Sequence, residues 1–367
     1  STHVQETVNS LKELGHKVTV ICKKGEDQKE KETLNKIAYL RLNLPKNSIE
    51  KNIWLLLHLE KITSKIIIEK GIDLVWQRNR IFGSQGIIAG RKVGVKTLLE
   101  MNEPVEMSER SVFFPLIKNW FFYSAKFADK VTGTHARMFK GIPIKKQVLI
   151  HYGSNPKIFN PKNTDGATAK KYGLKGKTLF FGTSLQEWHC VKKALLAFAE
   201  VQKEFPEAAF ILTGEGGRKD ELKEFAKAQG IRRVFFVGNV DYKKMPHYIN
   251  ASDVCAALYD RNYPPIKKFD YFYSPIKVFD AMACGKPVIA SGIGNIKEVI
   301  KNGKNGFLVN EQTVSEISDA MLKVFRLSKK EKEIISKLNT EKVEKEYNWK
   351  NVTKKILNNL KGSGADE

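Results

Sequence analysis

The chain is poor in cysteine, in long apolar runs and in acidic residues, and the first two shortages exclude whole classes of protein. The cysteines form no CxxC pair and no metal-ligand spacing, so neither a disulfide framework nor a zinc site is indicated; they are Cys22, Cys190, Cys255 and Cys284. The longest uncharged apolar run, residues 53–59, falls far short of the roughly 18 residues that a membrane-spanning helix needs. No secretory signal is recognisable. The sequence therefore predicts a protein of a reducing, cytoplasmic compartment.

The deficit of acidic residues gives the chain a large positive charge. It has 63 lysine and arginine residues against 40 aspartate and glutamate residues, a formal net charge of +23. Residues 110–146 contain eight basic residues and one acid, interleaved with aromatic and aliphatic side chains. Such a segment is typical of a surface that contacts anionic lipid. The alternative is an ordinary domain helix with buried aromatic residues and solvated lysines. No nucleic-acid-binding motif accompanies the charge, so nucleic acid is not an expected partner.

What the chain does have is the alternating pattern of an α/β protein. Its 367 residues, 42% of them hydrophobic, suffice for two domains with a core each. Helical periodicity and short apolar strands alternate along both halves, which indicates βαβ units and parallel sheets. The predicted helices of the first half are 4–14 and 55–70, and the predicted strands of the chain are 17–22, 73–77, 95–100, 130–133, 147–151, 178–182, 208–213, 234–237, 254–257 and 288–290. We place one domain at 1–160, a second at 161–345, a last helix at 346–361 and a disordered tail at 362–367.

The most informative segment is SPIKVFDAMACGKPVIASGIGNIKEVI, residues 274–300. Ser274 and the proline after it suit the start of a helix, and Gly285 suits its left-handed end. The open amides of that helix start, with the ammonium of Lys277, would bind a phosphate. Asp280, about one turn further on, would accept hydrogen bonds from the hydroxyls of a ribose. The alternative is an ordinary capped helix with solvated charges.

This segment resembles the signature SPxKxFE-x-MAxGKPV of the retaining glycosyltransferases of family 4, which have the GT-B fold. The chain departs from it at Asp280, where the family has Glu, and at Phe272, where many members carry a second acid. The resemblance implies two Rossmann-like, doubly wound domains facing a central cleft, with a nucleotide sugar bound by the second domain. It also implies that the last helix, 346–361, crosses back to the first domain.

Turns that follow strands in the second half also resemble this family. The segment FGTSLQEWHCV, residues 181–191, is similar to the family turn GSF-xx-WHGV, but Thr183 and His189 stand where many relatives have Arg and Lys. The resemblance therefore leaves Lys277 as the main charge on the diphosphate. The nucleotide-sugar site implied in this way consists of Gly182, Thr183, Ser184, His189, Gly214, Gly238, Val240, Ser274, Ile276, Lys277 and Asp280.

The first half resembles the family in three segments. STHVQETVNSLKELGHKVTVI at residues 1–21 is similar to THVxxLxxxLxxxGHEVTVI, but the strand and glycine-rich loop that precede it in the family are missing, so we expect upstream residues in the native protein. Two strand ends, at residues 78–80 and 98–104, are similar to RN and LEVNAP segments. Asn102 stands where many members have His, and Glu100 is the carboxylate beside it. The implied acceptor-side residues are Arg78, Arg80 and Glu103, and the candidate catalytic residues are Lys277, Asn102 and Glu100.

The function implied by the resemblance is that of a retaining hexosyltransferase. A sugar would move from a nucleoside diphosphate, UDP or GDP, to a hydroxyl acceptor such as a lipid-linked or glycan precursor, in the cytoplasm or at the inner face of the membrane. The leaving diphosphate can accept the acceptor proton, so neither a metal nor another cofactor is expected. One alternative is a non-catalytic GT-B partner subunit, motivated by the replacements at Thr183, His189, Phe272 and Asn102. A nucleotide-sugar epimerase is another, which the SPxK motif disfavours.

Overall fold

The computed structural model of the chain describes residues 2–79, 83–108 and 114–361. They form two compact units, residues 1–151 with 349–367 (unit 1) and residues 152–348 (unit 2). The division falls at 151/152 and 348/349, where the sequence placed it at 160/161 and 345/346. The tail predicted at 362–367 and the predicted acceptor-side residue Arg80 lie outside the described residues.

Unit 1 contains two separate sheets. In residues 2–151 the elements are α1 (Thr2–Glu13), β1 (Val18–Lys23), β2 (Lys31–Leu34), β3 (Ile37–Leu42), α2 (Ser48–Lys70), β4 (Leu74–Arg78), α3 (Gln85–Val93), β5 (Lys96–Glu100), α4 (Phe114–Phe127), β6 (Lys130–Gly133) and β7 (Gln147–Leu149). One sheet has the order β1-β3-β2, with β2 antiparallel to β3, and the other is parallel with the order β4-β5-β6-β7. Short 3₁₀ turns lie at Val105–Ser108, Ala136–Phe139 and Ile144–Lys146.

Most strands of unit 1 begin within one or two residues of their predicted starts, whereas α2 starts earlier than predicted. The sequence predicted α2 from Leu55, but α2 begins at Ser48, seven residues upstream, where Asn47 caps it: Asn47 Oδ1 accepts hydrogen bonds from the amides of Ile49 (2.8 Å) and Glu50 (3.3 Å). A cap of this kind satisfies amides that have no partner within the helix. The pairing of β2 with β3 was not predicted, because β2 (KETL) lacks the apolar run that marks most of the other strands.

Unit 2 is a parallel α/β layer. Its elements are α5 (Ala167–Lys171), β8 (Thr178–Gly182), α6 (Val191–Glu204), β9 (Ala209–Thr213), α7 (Lys219–Ala228), β10 (Val234–Gly238), α8 (Met245–Asn250), β11 (Val254–Ala257), α9 (Pro264–Phe269), α10 (Ile276–Ala283), β12 (Val288–Ser291), α11 (Ile296–Val299), β13 (Gly306–Val309), α12 (Val314–Arg326) and α13 (Lys329–Glu346). All six strands are parallel, in the order β10-β9-β8-β11-β12-β13. Apolar clusters on both faces of the sheet bury β8, β9 and β11 completely or nearly so. The order reverses direction at β8 and β11, which places a ligand crevice at their carboxyl ends.

The last helix, α14 (Trp349–Lys361), belongs to unit 1, where it packs against α1. Its apolar side is buried through Trp349, Val352, Ile356 and Leu360, spaced three or four residues apart as an amphipathic helix requires. None of the helices in the described ranges combines the length and the apolar composition of a membrane span.

A buried amide on α13 ties together the starts of β12 and β13. Asn339 is fully buried, and its Nδ2 donates to the carbonyls of Lys286 and Asn305, each at 2.9 Å. The same helix packs against α10. The side chain of Asn339 therefore helps fix the loop between α10 and β12 and the residue that precedes β13.

We expect Asn339→Ala to lower the free energy of unfolding of the protein by about 2–3 kcal/mol, because it strands two buried carbonyl groups. Urea unfolding followed by circular dichroism measures this loss. Asn359→Ala is the matched control, since its Nδ2 donates to Lys355 on the exposed side of α14, and it should change the free energy by less than about 0.5 kcal/mol. Equal, small effects of the two substitutions would contradict the role of Asn339.

Candidate functional site

Three consecutive turns at the carboxyl edge of the unit 2 sheet are joined by backbone hydrogen bonds. After β8, the amide of Thr183 donates to the carbonyl of Thr213 at 2.8 Å, and after β9 the amide of Gly214 donates to the carbonyl of Gly238 at 2.7 Å. The predicted residues Gly182, Thr183, Gly214 and Gly238 therefore lie side by side along this edge. Ser184 is exposed next to them.

The turn after β9 requires glycine. Gly214 has a φ of +114°, and a Cβ there would lie 1.8 Å from the carbonyl oxygen of Thr183. A Cβ on Gly216 would lie 2.1 Å from the carbonyl oxygen of Ser184. The two glycines thus let the β9 turn approach the β8 turn closely, which is how glycine-rich turns expose backbone to a ligand.

Lys277 and His189 meet at Tyr259, two residues beyond the end of β11. The Nζ of Lys277 lies 3.3 Å from Nε2 of His189, and it lies over the ring of Tyr259 at 5.6 Å from the centroid. His189 is buried, with the Trp188 ring 4.1 Å from its own, centroid to centroid. Among the described residues no carboxylate pairs with Lys277. This side chain is therefore a cation enclosed by aromatic rings and an imidazole.

The enclosure changes the protonation of both groups. Burial lowers the pKa of Lys277 from 10.5 to about 8. Burial, and then the neighbouring charge of Lys277, lower the pKa of His189 from 6.5 to about 2, so its ring is neutral at pH 7. Because an ammonium only donates hydrogen bonds, Nε2 of His189 accepts and its proton sits on Nδ1.

Two buried polar atoms at this edge have no hydrogen-bond partner among the described residues. They are Nδ1 of His189 and Oγ1 of Thr183. Buried polar atoms without partners are rare in folded proteins and often point to a ligand. With the Lys277 ammonium, they supply a positive charge and two hydrogen-bonding groups to one region. An anion with several oxygen atoms, such as a diphosphate, matches this set.

The predicted helix cap at Ser274 is wrong. The helix begins at Ile276, and the hydroxyl of Ser274 accepts a hydrogen bond from the amide of Tyr152 at 2.8 Å instead of capping it. The amide of Ile276 donates to the carbonyl of Ser274 at 2.9 Å, so it is not open to a phosphate. The left-handed end at Gly285 is confirmed by its φ of +70°.

Asp280 is less accessible than expected for a residue that binds a ribose. It is buried, and Ser154 donates to its Oδ1 at 2.6 Å. Ser154 follows directly on Gly153, whose Cβ would lie 2.3 Å from the Tyr347 carbonyl oxygen. The loop from Tyr152 to Ser154 is thus fixed against α10. The contact of Asp280 with a ribose stays a prediction.

The predicted residues of unit 1 also meet at a strand edge. Glu100, at the end of β5, is buried, and both its oxygens are engaged: Oε1 with Nε2 of His3 at 3.1 Å and Oε2 with Nε1 of Trp76 at 2.8 Å. Its carboxylate therefore orients its neighbours within unit 1. A catalytic role for Glu100 would have to act through these contacts.

Arg78, Asn102 and Glu103 form a second group at this edge. Arg78 donates through Nε to Oδ1 of Asn102, and Nδ2 of Asn102 donates to the carbonyl of Asn79 at 2.7 Å. Burial raises the pKa of Glu103, and the charge of Arg78 lowers it by a smaller amount. The described residues that were predicted to face the acceptor, Arg78 and Glu103, thus lie near each other.

Sequence reasoning missed the parts played by His3, Ser154 and Tyr259. Tyr259 could have been found, since it lies two residues beyond β11 at the carboxyl edge, where ligand-binding residues are expected. The partners of Glu100 and Asp280 had no signal in the sequence, because His3 and Ser154 are 97 and 126 residues away along the chain. The remaining predicted residues, Val240 and Ile276, are half-buried near β10 and at the first position of α10.

Comparison with known proteins places this site in context. Residues 167–340, a little under half of the chain, match the family model of glycosyl transferases group 1. The uncharacterized glycosyltransferase MJ1069 of Methanocaldococcus jannaschii is 26% identical over 223 residues, which cover 59% of this chain and 51% of that protein. The chain thus spans about half the length, or less, of such curated relatives.

Solved structures match over nearly the whole chain. A glycosyltransferase from Rickettsia africae has a TM-score of 0.75 and 18% identity, covering 100% of this chain and 95% of that one. Alr3699/HepE of Anabaena, solved in complex with UDP-glucose, has a TM-score of 0.69 and 18% identity, covering 89% and 86%. These likenesses confirm the predicted α/β fold class, GT-B with two Rossmann-like units. The family match supports the predicted glycosyltransferase class.

The unpaired charge of the half-buried Lys277 should cost stability. We expect Lys277→Met to raise the free energy of unfolding by roughly 1–3 kcal/mol at pH 7, since it removes an ammonium that lacks an anionic partner. The gain should shrink as pH rises from about 8 towards 10.5, because there the folded wild type loses its proton before the unfolded chain does and gains stability. Urea unfolding at pH 7 and pH 10 measures both values.

The control for this substitution is Lys267→Met, at an exposed lysine on α9. It should leave stability within about 0.5 kcal/mol of wild type at both pH values. A loss of stability in Lys277→Met at pH 7 would contradict the description of Lys277 as a half-buried cation that no described carboxylate pairs with.

Proposed function

We propose that the protein is a glycosyltransferase that moves a sugar from a nucleoside diphosphate to a hydroxyl group, with retention at the anomeric carbon. The observation that carries this proposal is Lys277, a half-buried lysine without a carboxylate partner among the described residues, whose Nζ lies 3.3 Å from the ring of His189, where Nδ1 is unpartnered. The family match over residues 167–340 covers these residues. The UDP-glucose complex of the Anabaena protein supports UDP as the nucleotide, with GDP as the alternative.

The chemistry follows from the charges at the site. The bond from the anomeric carbon to the diphosphate oxygen breaks, and its electron pair stays on the diphosphate. Lys277 and Nδ1–H of His189 would stabilise that developing charge, and electrostatic stabilisation of this kind accounts for much of the rate enhancement of many enzymes. The acceptor oxygen bonds to the anomeric carbon from the same side, and its proton passes to the leaving diphosphate oxygen. The lysine supplies the positive charge, so we propose that transfer needs no metal.

We propose that unit 1 binds the acceptor. Arg78 with Asn102 offers hydrogen-bond donors at the end of β4 and β5, and Glu103, with its raised pKa, offers an acceptor. A hydroxyl-rich acceptor, such as a glycan or a lipid-linked precursor, suits such a polar edge. The assignment rests on these contacts within unit 1.

The direct test is transfer by the purified protein. In the presence of EDTA, the wild-type protein is expected to release the nucleoside diphosphate from at least one of a panel of UDP- and GDP-sugars. NMR of the product should show the same anomeric configuration as in the donor. Lys277→Ala should lower kcat/KM about 100-fold or more, since it removes the charge that stabilises the leaving group. Asp280→Asn keeps the shape of the side chain and should raise the KM for the donor.

Lys267→Ala is the control for surface charge and should keep wild-type kinetics. Release of an altered sugar nucleotide without any acceptor would favour an epimerase. Tight binding of nucleotide sugars without turnover would favour a non-catalytic subunit. Wild-type rates in Lys277→Ala would refute the site.

A second proposal concerns the basic segment at residues 110–146. The apolar residues of α4 fall into two groups. Ile117, Phe121 and Ala125 are buried, whereas Leu116 and Tyr123 are exposed. Leu116 and Tyr123 are seven residues apart and so lie on one side of the helix, with the exposed Lys126 three residues after Tyr123. We propose that this side of α4 contacts an anionic lipid surface. Arg110 and Phe113 lie outside the described residues.

Co-sedimentation with vesicles tests the lipid proposal. The protein should bind vesicles with about 30% anionic lipid more than neutral ones, and the double variant Leu116→Ser with Tyr123→Ser should weaken that binding severalfold. Leu34→Ser on β2 is the control, because Leu34 is an equally exposed apolar residue outside the segment. Equal binding to neutral and anionic vesicles would overturn the proposal.

A further inference from the structure

The backbone of Asp270 has a conformation that is rare in residues other than glycine. Its φ is +62° and its ψ is −179°, in a region that a Cβ atom makes costly and that glycine adopts freely. Strain of this kind persists only where the surrounding structure holds it, and it is concentrated at binding and catalytic sites. Asp270 directly follows α9 and leads into residues 271–273, which we call the aromatic segment.

Two local hydrogen bonds hold Asp270 in this conformation. Its amide donates to the carbonyl of Ile266 at 2.8 Å, which closes the last turn of α9. Its Oδ1 accepts a hydrogen bond from the amide of Tyr271 at 2.7 Å. The carboxylate thus supports the turn at its own position. The backbone at Asp270 therefore sets the direction in which the aromatic segment leaves α9.

The aromatic segment packs against Tyr259, which follows β11. The rings of Tyr271 and Tyr259 lie 4.4 Å apart, centroid to centroid, and both residues are buried. The ring of Tyr259 in turn lies 5.6 Å from Nζ of Lys277 and 5.5 Å from the ring of His189. The position of Tyr259 beside the ammonium thus depends on Tyr271, and the position of Tyr271 depends on the backbone at Asp270.

The turn after β12 also contacts the aromatic segment. Gly294 has a φ of +45°, and a Cβ there would lie 2.1 Å from the carbonyl oxygen of Tyr271. Close by, Nδ2 of Asn295 donates to the carbonyl of Tyr273 at 3.5 Å. The turn therefore leaves Tyr271 no space to shift towards Gly294.

We propose that Asp270 is a positioning residue for the candidate diphosphate site. Its strained backbone holds the aromatic segment so that Tyr271 keeps Tyr259 beside Lys277 and His189. The inference rests on the proposed function for the identity of the ligand, whereas the contacts that support it all lie within unit 2. The backbone conformation of Asp270 is what the site needs, and the carboxylate serves to hold it.

A direct role of the Asp270 carboxylate is the competing interpretation, because a carboxylate can accept hydrogen bonds from the hydroxyls of a sugar. The observed hydrogen bond from the Tyr271 amide favours the positioning role. Glycine separates the two interpretations, since it adopts this backbone freely but has no carboxylate. Valine lacks the carboxylate as well, and its branched Cβ disfavours a positive φ.

The experiment compares Asp270→Gly and Asp270→Val in the full chain, with a donor that the wild-type protein turns over. Asp270→Gly should keep kcat/KM within about threefold of wild type, because glycine retains the backbone conformation. Asp270→Val should lower kcat/KM by roughly tenfold or more, because a displaced Tyr271 no longer holds Tyr259 and Lys277 in place.

A second measurement does not depend on activity. In the ligand-free protein, NMR of labelled lysine should show that Asp270→Val moves the pKa of Lys277 from about 8 towards 10.5, because displaced rings expose the ammonium to water. Asp270→Gly should keep the wild-type pKa. If the wild-type protein transferred no sugar, the proposed function would fail, and this comparison would still decide the role of Asp270.

If Asp270→Val does not fold, Gly294→Ala replaces it, because its Cβ would displace the carbonyl of Tyr271. The same change in the pKa of Lys277 and the same loss of activity are expected. Gly303→Ala is the matched control: Gly303 also has a positive φ, +75°, but a Cβ there meets nothing within 4 Å. It should leave both measurements near their wild-type values.

Two results would overturn the proposal. One is a loss of activity in Asp270→Gly as large as that in Asp270→Val, which would assign the role to the carboxylate. The other is a wild-type pKa of Lys277 in both Asp270→Val and Gly294→Ala, which would show that the aromatic segment does not position the site.

Discussion

The arrangement of unit 2 depends on one electrostatic constraint, the enclosure of the Lys277 ammonium by groups that cannot neutralise it. Its neighbours are the neutral ring of His189 and the face of Tyr259, and burial brings its pKa down to about 8. An ammonium in such a position lowers the stability of the ligand-free protein, because it has lost favourable interactions with water. A bound anion offsets that loss by attracting the ammonium. Stability given up at a site of this kind is a common sign of function.

The turns at the carboxyl edge of the unit 2 sheet are held in place by close backbone contacts. Gly214 and Gly216 allow the turns after β8 and β9 to touch, and the amide ladder from Thr183 through Gly214 to Gly238 fixes their order. Behind α10, Asn339 holds the starts of β12 and β13. The site thus rests on rigid strand ends, with Thr183 and His189 each keeping one polar atom unpartnered among the described residues.

Much of this was visible in the sequence, where local patterns decide structure. The strands at 178–182 and 254–257 have the predicted bounds because apolar runs flanked by turn residues mark them well. The residues around Lys277 and His189 were found from their place after strands and from the family resemblance. Contacts between residues far apart in the sequence were not predicted. They are the hydrogen bonds of Ser154 with Asp280, of the Tyr152 amide with the Ser274 hydroxyl, and of His3 with Glu100. A hydrogen bond between residues a hundred positions apart leaves no periodic signal, and β2 (KETL) has no apolar run.

The most direct test of this account is the pKa of Lys277 itself, followed by NMR of lysine-labelled protein with Lys277→Met to assign the signal. Without ligand the pKa should be near 8, and saturation with UDP should raise it by at least one unit, because a bound diphosphate favours the charged ammonium. A pKa near 10.5 without ligand, or one that does not move when UDP is bound, would contradict the account.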